Sequence, residues 1–519
     1  MTDFPWLTLT VFVPLIGGLV MLGLSAIPRR PAEFGGPSKP DDVWRWWALV
    51  VSIATFGLSL GVLSEFRGDV SGFQLVEEAT WVGPLNLRYI LGVDGISVFM
   101  VVLTAFLMPL SILASWRMEK QVVYFMASLL ALETAMLGAF VALDLLLFFV
   151  FFEALLFPMY LVIGIWGSGR RVYAAVKFFL FTMAGSALLL VAILFLYFHS
   201  GSVTGTATLD LRELQGLPLA ADTARWLFLA FFVAFAVKVP LFPLHTWLPD
   251  AHTEAPTAGS VLLAGVLLKV GAYGLIRFNL TLFPGASNDL RGFVSVLAVI
   301  GIVYGAVVAL IQTDIKRLVA YSSVSHLGFV VLGVFAGTVQ GMTGGVIQMV
   351  NHGLSTGALF LLVGMLYDRT HTRDLGRLGG LASRTPVLAG FFLVVALSSL
   401  GLPGLNGFVG EFLILLGTFD ASAAFAVIGS LGVVLAAIYL LWAYQRAMHG
   451  ELRPGLEDTP DVSPREYAVL VPIVAAIVAI GVFPKPFLER IEPSAEKHAQ
   501  VIEVTPESEG AIQAAGGDG

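Results

Sequence analysis

Five charged side chains stand where the surrounding sequence is almost wholly apolar: Glu133, Glu153, Lys238, Lys269 and Glu411. His326 and His352 fall in two further apolar stretches as titratable neighbours. A charge at the centre of a bilayer costs between about 2.5 and about 17 kcal/mol, so such residues persist where they meet water or a partner charge. Glu153 poses the problem most sharply, because Phe148-Phe-Val-Phe-Phe-Glu153-Ala-Leu-Leu-Phe-Pro158 offers it no polar neighbour. Its partner has to come from another segment, and Lys238 is the natural candidate. Burial disfavours an ionised side chain and a close opposite charge restores it. Parting Glu153 from Lys238 would therefore drive the lysine's proton onward to Lys269. The histidines, which ordinarily titrate near pH ~6.5, would carry it toward Glu411. Direct hydrogen bonds reach only about 3 Å, so water must bridge the gaps. The chemistry implied is proton transfer along a wire of acids and bases.

Each of these residues also has an inert reading. Glu153 and Lys238 could form a static ion pair joining two helices. A single intramembrane histidine is often a packing residue, Lys269 could snorkel to the interface, and Glu133 could only tune the field near Glu153. His245 and His252 resemble loop polar groups, whereas Asp94, Asp144 and Asp314 sit at the ends of apolar runs and read as structural. So many titratable groups together disfavour the inert reading.

Composition says what must position them. Of 519 residues, 57% are hydrophobic and only 13% charged, with mean hydropathy +0.87. Soluble domains carry about 25% charged residues, so the chain is a membrane protein. The first apolar run, 4–26, lacks a basic leader and reads as a span rather than a signal peptide. No cysteine is present, which removes disulfides, iron–sulfur clusters and thiolate metal sites.

The expected fold class is all-α and integral to the membrane, with about fourteen spans. Three N-terminal spans occupy 1–121. Two five-helix units follow, at 122–277 (spans 4–8) and 292–445 (spans 9–13), then a loop and span 14 at 446–488 and a polar, disordered tail at 489–519. The 66–92 connection reads as a loop. Spans 7 and 12 should break, at Lys238-Val-Pro240-Leu-Phe-Pro243 and Gly401-Leu-Pro403-Gly404-Leu-Asn406-Gly407, because proline removes a backbone donor and clashes with the preceding turn. Interrupted spans at matching places point to inverted repeats around a transport site. Loops after odd-numbered spans hold most of the lysine and arginine, among them Arg29, Arg30, Lys39, Arg170, Arg171, Lys316 and Arg317. Both termini are therefore expected on the outer side of the membrane.

The stretch from Lys238 to Ser260, continuing through Leu268-Lys269-Val-Gly-Ala-Tyr-Gly274, resembles the signature of antiporter-like subunits of complex I and of multisubunit cation/proton antiporters. Gly92-Val-Asp-Gly-Ile-Ser97, Leu143-Asp-Leu-Leu-Leu-Phe-Phe149, Asp314-Ile-Lys-Arg-Leu-Val-Ala-Tyr-Ser-Ser-Val-Ser-His-Leu-Gly328 and Gly401 to Phe412 are similar to further motifs of that family. The resemblance runs from about residue 90 to 450. Glutamate at 411, where L- and N-type paralogues carry lysine, implies the M type. It implies Glu153 and Lys238 as the input pair, Lys269 as central relay, Glu411 as distal residue, and His326 and His352 as connecting positions. It also implies no cofactor in this chain, with FMN, iron–sulfur clusters and quinone on other subunits. L- and N-type neighbours and a bacterial inner (cytoplasmic) membrane location follow from the same likeness. Asn406 departs from the pattern, where serine or threonine is commoner. Subunits of a Na+/H+ antiporter or a membrane-bound hydrogenase are the alternatives.

Overall fold

The computed structural model describes residues 4–27 and 40–503. Arg29, Arg30 and Lys39, which contribute to the expected orientation, lie outside the described residues, as does the tail from 504. Helices α1 (Trp6–Ser25), α2 (Pro40–Glu65), α3 (Val98–Ala114) and α4 (Val122–Val141) form the N-terminal part. The chain continues with α5 (Leu145–Trp166), α6 (Arg171–Thr204), α7 (Ala221–Lys238), α8 (Trp247–Glu254) and α9 (Thr257–Leu280). Then follow α10 (Pro284–Leu310), α11 (Ile315–Val334), α12 (Val339–Thr370), α13 (Pro386–Ser399), α14 (Asn406–Ala421) and α15 (Ala423–Met448). Two more, α16 (Pro464–Val482) and α17 (Lys485–Glu503), end the described chain. Eleven helices among the described residues are long and apolar enough to cross a membrane, and α3 and α13 are shorter apolar helices.

The expected breaks occur. After Lys238, Pro240 and Pro243 end α7, and the Trp247 indole N–H takes up the Val237 carbonyl at 2.9 Å. The second break leaves α13 at Ser399 and restarts at Asn406, with Gly401 (φ +81°) and Gly404 (φ +90°) in the left-handed region. Only glycine occupies that region without strain. A Cβ at Gly407 would lie 2.0 Å from the Ser398 carbonyl oxygen, so the two half-helices touch through backbone.

A local clamp appears twice. Asp144 caps α5, accepting from the Leu146 and Leu147 N–H groups at 2.9 and 3.0 Å, and Asp314 caps α11 through Lys316 and Arg317 at 2.8 and 3.1 Å. Leu145 N–H donates to Leu209 and Leu211 N–H to Leu143, while Ile315 N–H donates to Arg373 and Leu375 N–H to Thr313, all at 2.9 Å. Thr208 Oγ1 accepts from Asp210 N–H and Thr372 Oγ1 from Asp374 N–H, both at 3.2 Å. In both places the start of one helix, α5 or α11, is thus stitched to the segment leading into the helix two further on, α7 or α13.

Two expectations fail. Residues 74–93, within the connection expected as a loop, form an antiparallel hairpin, β1 (Gln74–Val82) with β2 (Leu87–Val93). The segment carries the β-branched and aromatic residues Val76, Thr80, Trp81, Val82, Tyr89, Ile90 and Val93. Glu77 on this hairpin caps α1, accepting from the Leu7 and Thr8 N–H groups at 2.7 and 3.0 Å. A carboxylate there complements the positive end of the helix dipole. The second correction concerns the tail. Residues 485–503 form α17, which buries Ile491, Ser494, Ala495, His498 and Ala499 while Glu492, Glu496 and Lys497 stay exposed. That i, i+3, i+4, i+7 spacing is an amphipathic helix inside a segment whose polar composition suggested disorder.

Candidate functional site

The core of α9 is distorted where it matters. Residues 263–267 wind as a π-turn, a form that recurs at functional sites. Lys269, fully buried, folds its Nζ back onto the Ala264 carbonyl inside that turn and lies 2.6 Å from His352 Nδ1 on α12. The His352 ring stands 5.9 Å, centroid to centroid, from the His326 ring on α11. His326 Nδ1 is 2.8 Å from Glu411 Oε1 on α14, and its Nε2 is 3.3 Å from the Tyr439 hydroxyl on α15. Gln348 donates to the same Glu411 oxygen at 3.1 Å. A cavity of about 10 Å³ between the two histidines, lined also by Gln348, Asn351 and Ser355, is at the lower limit for one water. Four of the seven sequence-predicted residues therefore form one buried series across four helices.

The second break holds the far end of this series. Asn351 and Asn406 exchange amides, each side chain donating to the other's backbone carbonyl, at 2.8 and 3.2 Å. Ser398 and Ser355 donate to Asn406 Oδ1 at 2.5 and 3.2 Å, and their hydroxyls are 2.6 Å apart. This network joins α12, α13 and α14 at the point where α14 begins to carry Glu411. Its polar residues satisfy one another where helical backbone bonding stops.

The other three predicted residues are not in this contact series. Lys238 is buried with no hydrogen-bond partner for Nζ among the described residues, and it sits 4.9 Å from the Phe152 ring centre. A ring face attracts a cation electrostatically. Glu153 is half-buried, close enough for its charge to act on Lys238, yet the two form no ion pair within 4.0 Å. The direct input pair expected from the sequence is open in this structure. Gly271 lies against the Lys238 backbone, where a Cβ would meet Lys238 Cβ at 2.8 Å, so α7 and α9 are in close contact. Glu133 is fully buried with both carboxylate oxygens unpartnered among the described residues.

Two groups were misread in the sequence. His252 is fully buried in α8, stacked on Phe360 at 4.5 Å, with both ring nitrogens unpartnered and the charges of Lys269 and Lys316 within reach. Lys316 is likewise buried, donating to the Ala255 carbonyl at 2.5 Å, rather than lying in an exposed loop. The four prolines from 240 to 256 made the His252 segment look like a surface connection. Its hydrophobic neighbours Trp247, Leu248 and Ala251 were the available signal. Among the described residues no three His, Asp or Glu side chains are grouped to hold a metal ion.

A membrane helix bundle with two broken helices and a buried line of lysine, histidine and glutamate has the architecture of antiporter-like membrane subunits. The family described as NADH:quinone oxidoreductase/Mrp antiporter, transmembrane, matches residues 142–438, and that of NADH-ubiquinone oxidoreductase chain 4, amino terminus, matches 70–139. NADH-quinone oxidoreductase subunit M of Rhodobacter capsulatus is 46% identical over 497 residues, covering 94% of this chain and 95% of its own length. Its counterpart from Mycobacterium tuberculosis is 40% identical over 539 residues, covering 97% and 95%. A chain in the structure of respiratory complex I from Thermus thermophilus with bound NADH superposes with TM-score 0.85 at 35% identity, covering 96% of this chain and 99% of that one. A chain of the Mrp complex from Dietzia sp. shares the fold, with TM-score 0.82 at 21% identity over 97% of this chain and 100% of that one. The chain belongs to the subunit M family of NADH-quinone oxidoreductases.

Proposed function

We propose that this chain translocates protons as a membrane subunit of NADH:quinone oxidoreductase, driven by quinone reduction in other subunits. The observation that carries the reading is the buried series Lys269, His352, His326, Glu411, whose widest step separates two imidazoles that line one small cavity. In this scheme Glu153 and Lys238 form the input, alternating between the open separation seen here and a closed pair. Lys269 is the central store, the histidines pass the proton, and Glu411 delivers it; Glu133 sets the field at the input side. His252 and Lys316 extend the buried cation cluster around Lys269.

Counting α3, α7 and the α13–α14 pair with the eleven longer helices gives fourteen crossings, with both termini outside a bacterial inner membrane. The twice-built clamp supports two inverted repeats. L- and N-type paralogues are the neighbours this reading requires. FMN, iron–sulfur clusters and quinone belong to other subunits.

The test is Lys269→Ala in the assembled complex, reconstituted in vesicles with a pH-sensitive dye. Proton movement per NADH should fall steeply while NADH oxidation by an artificial acceptor continues. Full pumping in that variant would remove the mechanism.

A further inference from the structure

Lys269, Tyr273 and Arg277 follow one another along α9 at four-residue spacing, which places them one above another on a helix face. Lys269 and Tyr273 are fully buried. Beyond them opens a cavity of about 310 Å³, whose walls include Asp94, Arg277, Gln215, Asn288, Lys497 and His498. Neither Tyr273 nor Lys269 reaches it. What separates them from the cavity is an ion pair. Arg277 Nη2 donates to Asp94 Oδ1 at 2.6 Å and Nε donates to the Tyr273 hydroxyl at 3.1 Å. Both charged side chains are about 2% exposed. The guanidinium is held 4.8 Å from the Phe73 ring centre and 5.2 Å from that of Tyr273. Asp94 Oδ1 is fixed in turn by the Ile96 and Ser97 N–H groups, both at 3.1 Å, just ahead of α3.

Helix α17 clamps the loop that carries Asp94. Gly95 N–H donates to Ser494 Oγ at 3.0 Å, and a Cβ on Gly95 would lie 2.2 Å from the Arg490 carbonyl oxygen. The relay reading has no use for this pair, although burying it desolvates two full charges.

We propose that Arg277, pinned by Asp94, is an electrostatic seal that stops protons passing between Lys269 and the outer cavity along α9. The proposal rests on the relay reading above. Arginine keeps its proton throughout the physiological range, so it cannot serve as a relay member. A fixed guanidinium at a constriction repels hydronium, a device by which water-conducting pores exclude protons. A relay that takes protons from one face and delivers them through Glu411 has to be closed behind its central lysine. Otherwise a proton held on Lys269 would have a return path along its own helix, past Tyr273. Asp94 compensates the buried charge and sets its position, and α17 holds Asp94.

The experiment uses the whole complex with the neutral pair Arg277→Gln and Asp94→Asn, reconstituted in liposomes with an entrapped pH dye. NADH oxidation builds a gradient, turnover is stopped with a quinone-site inhibitor, and the decay is followed. The neutral pair should lose its gradient several-fold faster than the unaltered complex, with fewer protons moved per NADH. Arg277→Lys should hold the gradient, and adding Lys269→Ala to the neutral pair should abolish the leak. An assembled neutral pair that holds its gradient overturns the seal. A leak that survives Lys269→Ala does the same. If the neutral pair fails to assemble, Arg277→Lys decides: a tight membrane supports the fixed charge, and a leak overturns it. Lys269→Ala alone judges the relay reading separately. Loss of pumping there, beside a tight neutral pair, removes only the seal.

Discussion

Asn406→Ala isolates the part of the second break that holds Glu411 in place. The substitution deletes three buried hydrogen bonds: those from Ser398 and Ser355 to Oδ1, and that from Nδ2 to the Asn351 carbonyl. A buried hydrogen bond contributes about 1 kcal/mol net, and a partner left unsatisfied costs about 1–3 kcal/mol more. Ser355 and Ser398 retain each other at 2.6 Å, so the loss sums to about 3–4 kcal/mol rather than double that. At about 1.4 kcal/mol per tenfold, the ratio of closed to open break falls by roughly two to three powers of ten. Its backbone reports this directly, because Leu402 N–H donates to Leu397 and Leu405 N–H to Leu402 at 3.0 and 3.1 Å. Hydrogen exchange at those two amides should accelerate by about a hundredfold or more. Glu411 then parts from His326 more often, and protons moved per NADH should fall. Asn406→Ser should fall in between, since a hydroxyl can still accept from Ser398 but cannot reach Asn351. Unchanged exchange and full pumping in Asn406→Ala would refute the reasoning.

His498 should make the docking of α17 sensitive to acid. Burial, with the charges of Arg277 and Lys497 nearby, holds this imidazole at about 4, against the partial relief given by Asp94 and the Ser494 carbonyl. Released from the site it returns to about 6.5, so docking is fully supported above that pH and weakens as pH falls through about 4. The loss approaches about 3 kcal/mol, read as faster exchange or proteolysis of residues 485–503 at acid pH, and His498→Gln should flatten the dependence. Arg369 makes a bidentate pair with Glu466, at 2.7 and 2.6 Å with both side chains buried. Arg369→Ala leaves that carboxylate unpaired at a cost of about 3–5 kcal/mol, so less complex should assemble on native gels and what assembles should melt earlier.

The membrane class and both breaks were legible because a long apolar run and a proline inside it each admit few conformations. The line from Lys269 to Glu411 was legible for a related reason: a charge in an apolar run demands a partner, and few candidates exist. The Glu153–Lys238 contact was not, because a need for a partner does not fix a distance. Lys238 found aromatic faces instead. His252 was hidden by the prolines around it. The hairpin at 74–93 is not legible because Gly83-Pro84 and the charged Glu77, Glu78 and Arg88 break its apolar run, and α17 is not because its exposed Glu489, Glu492 and Glu496 weigh down a composition that only periodicity resolves. The repeated clamp escaped notice too. It depends on Asp144 with Asp210 and Asp314 with Asp374, pairs of single residues far apart in the chain.

Those two clamps set how the halves can move. In the first, the rivet joins the start of the helix bearing Glu153 to the approach to the helix that ends in Lys238. In the second, it joins the start of the helix bearing His326 to the approach to the broken helix that leads to Glu411. Each acid–base couple thus rides on blades pinned at one end. Hydrogen bonds at the rivet oppose sliding of the blades past each other and leave opening and shutting about it, as in scissors, as the easier change of distance between partners. A displacement of either blade would then change a single gap.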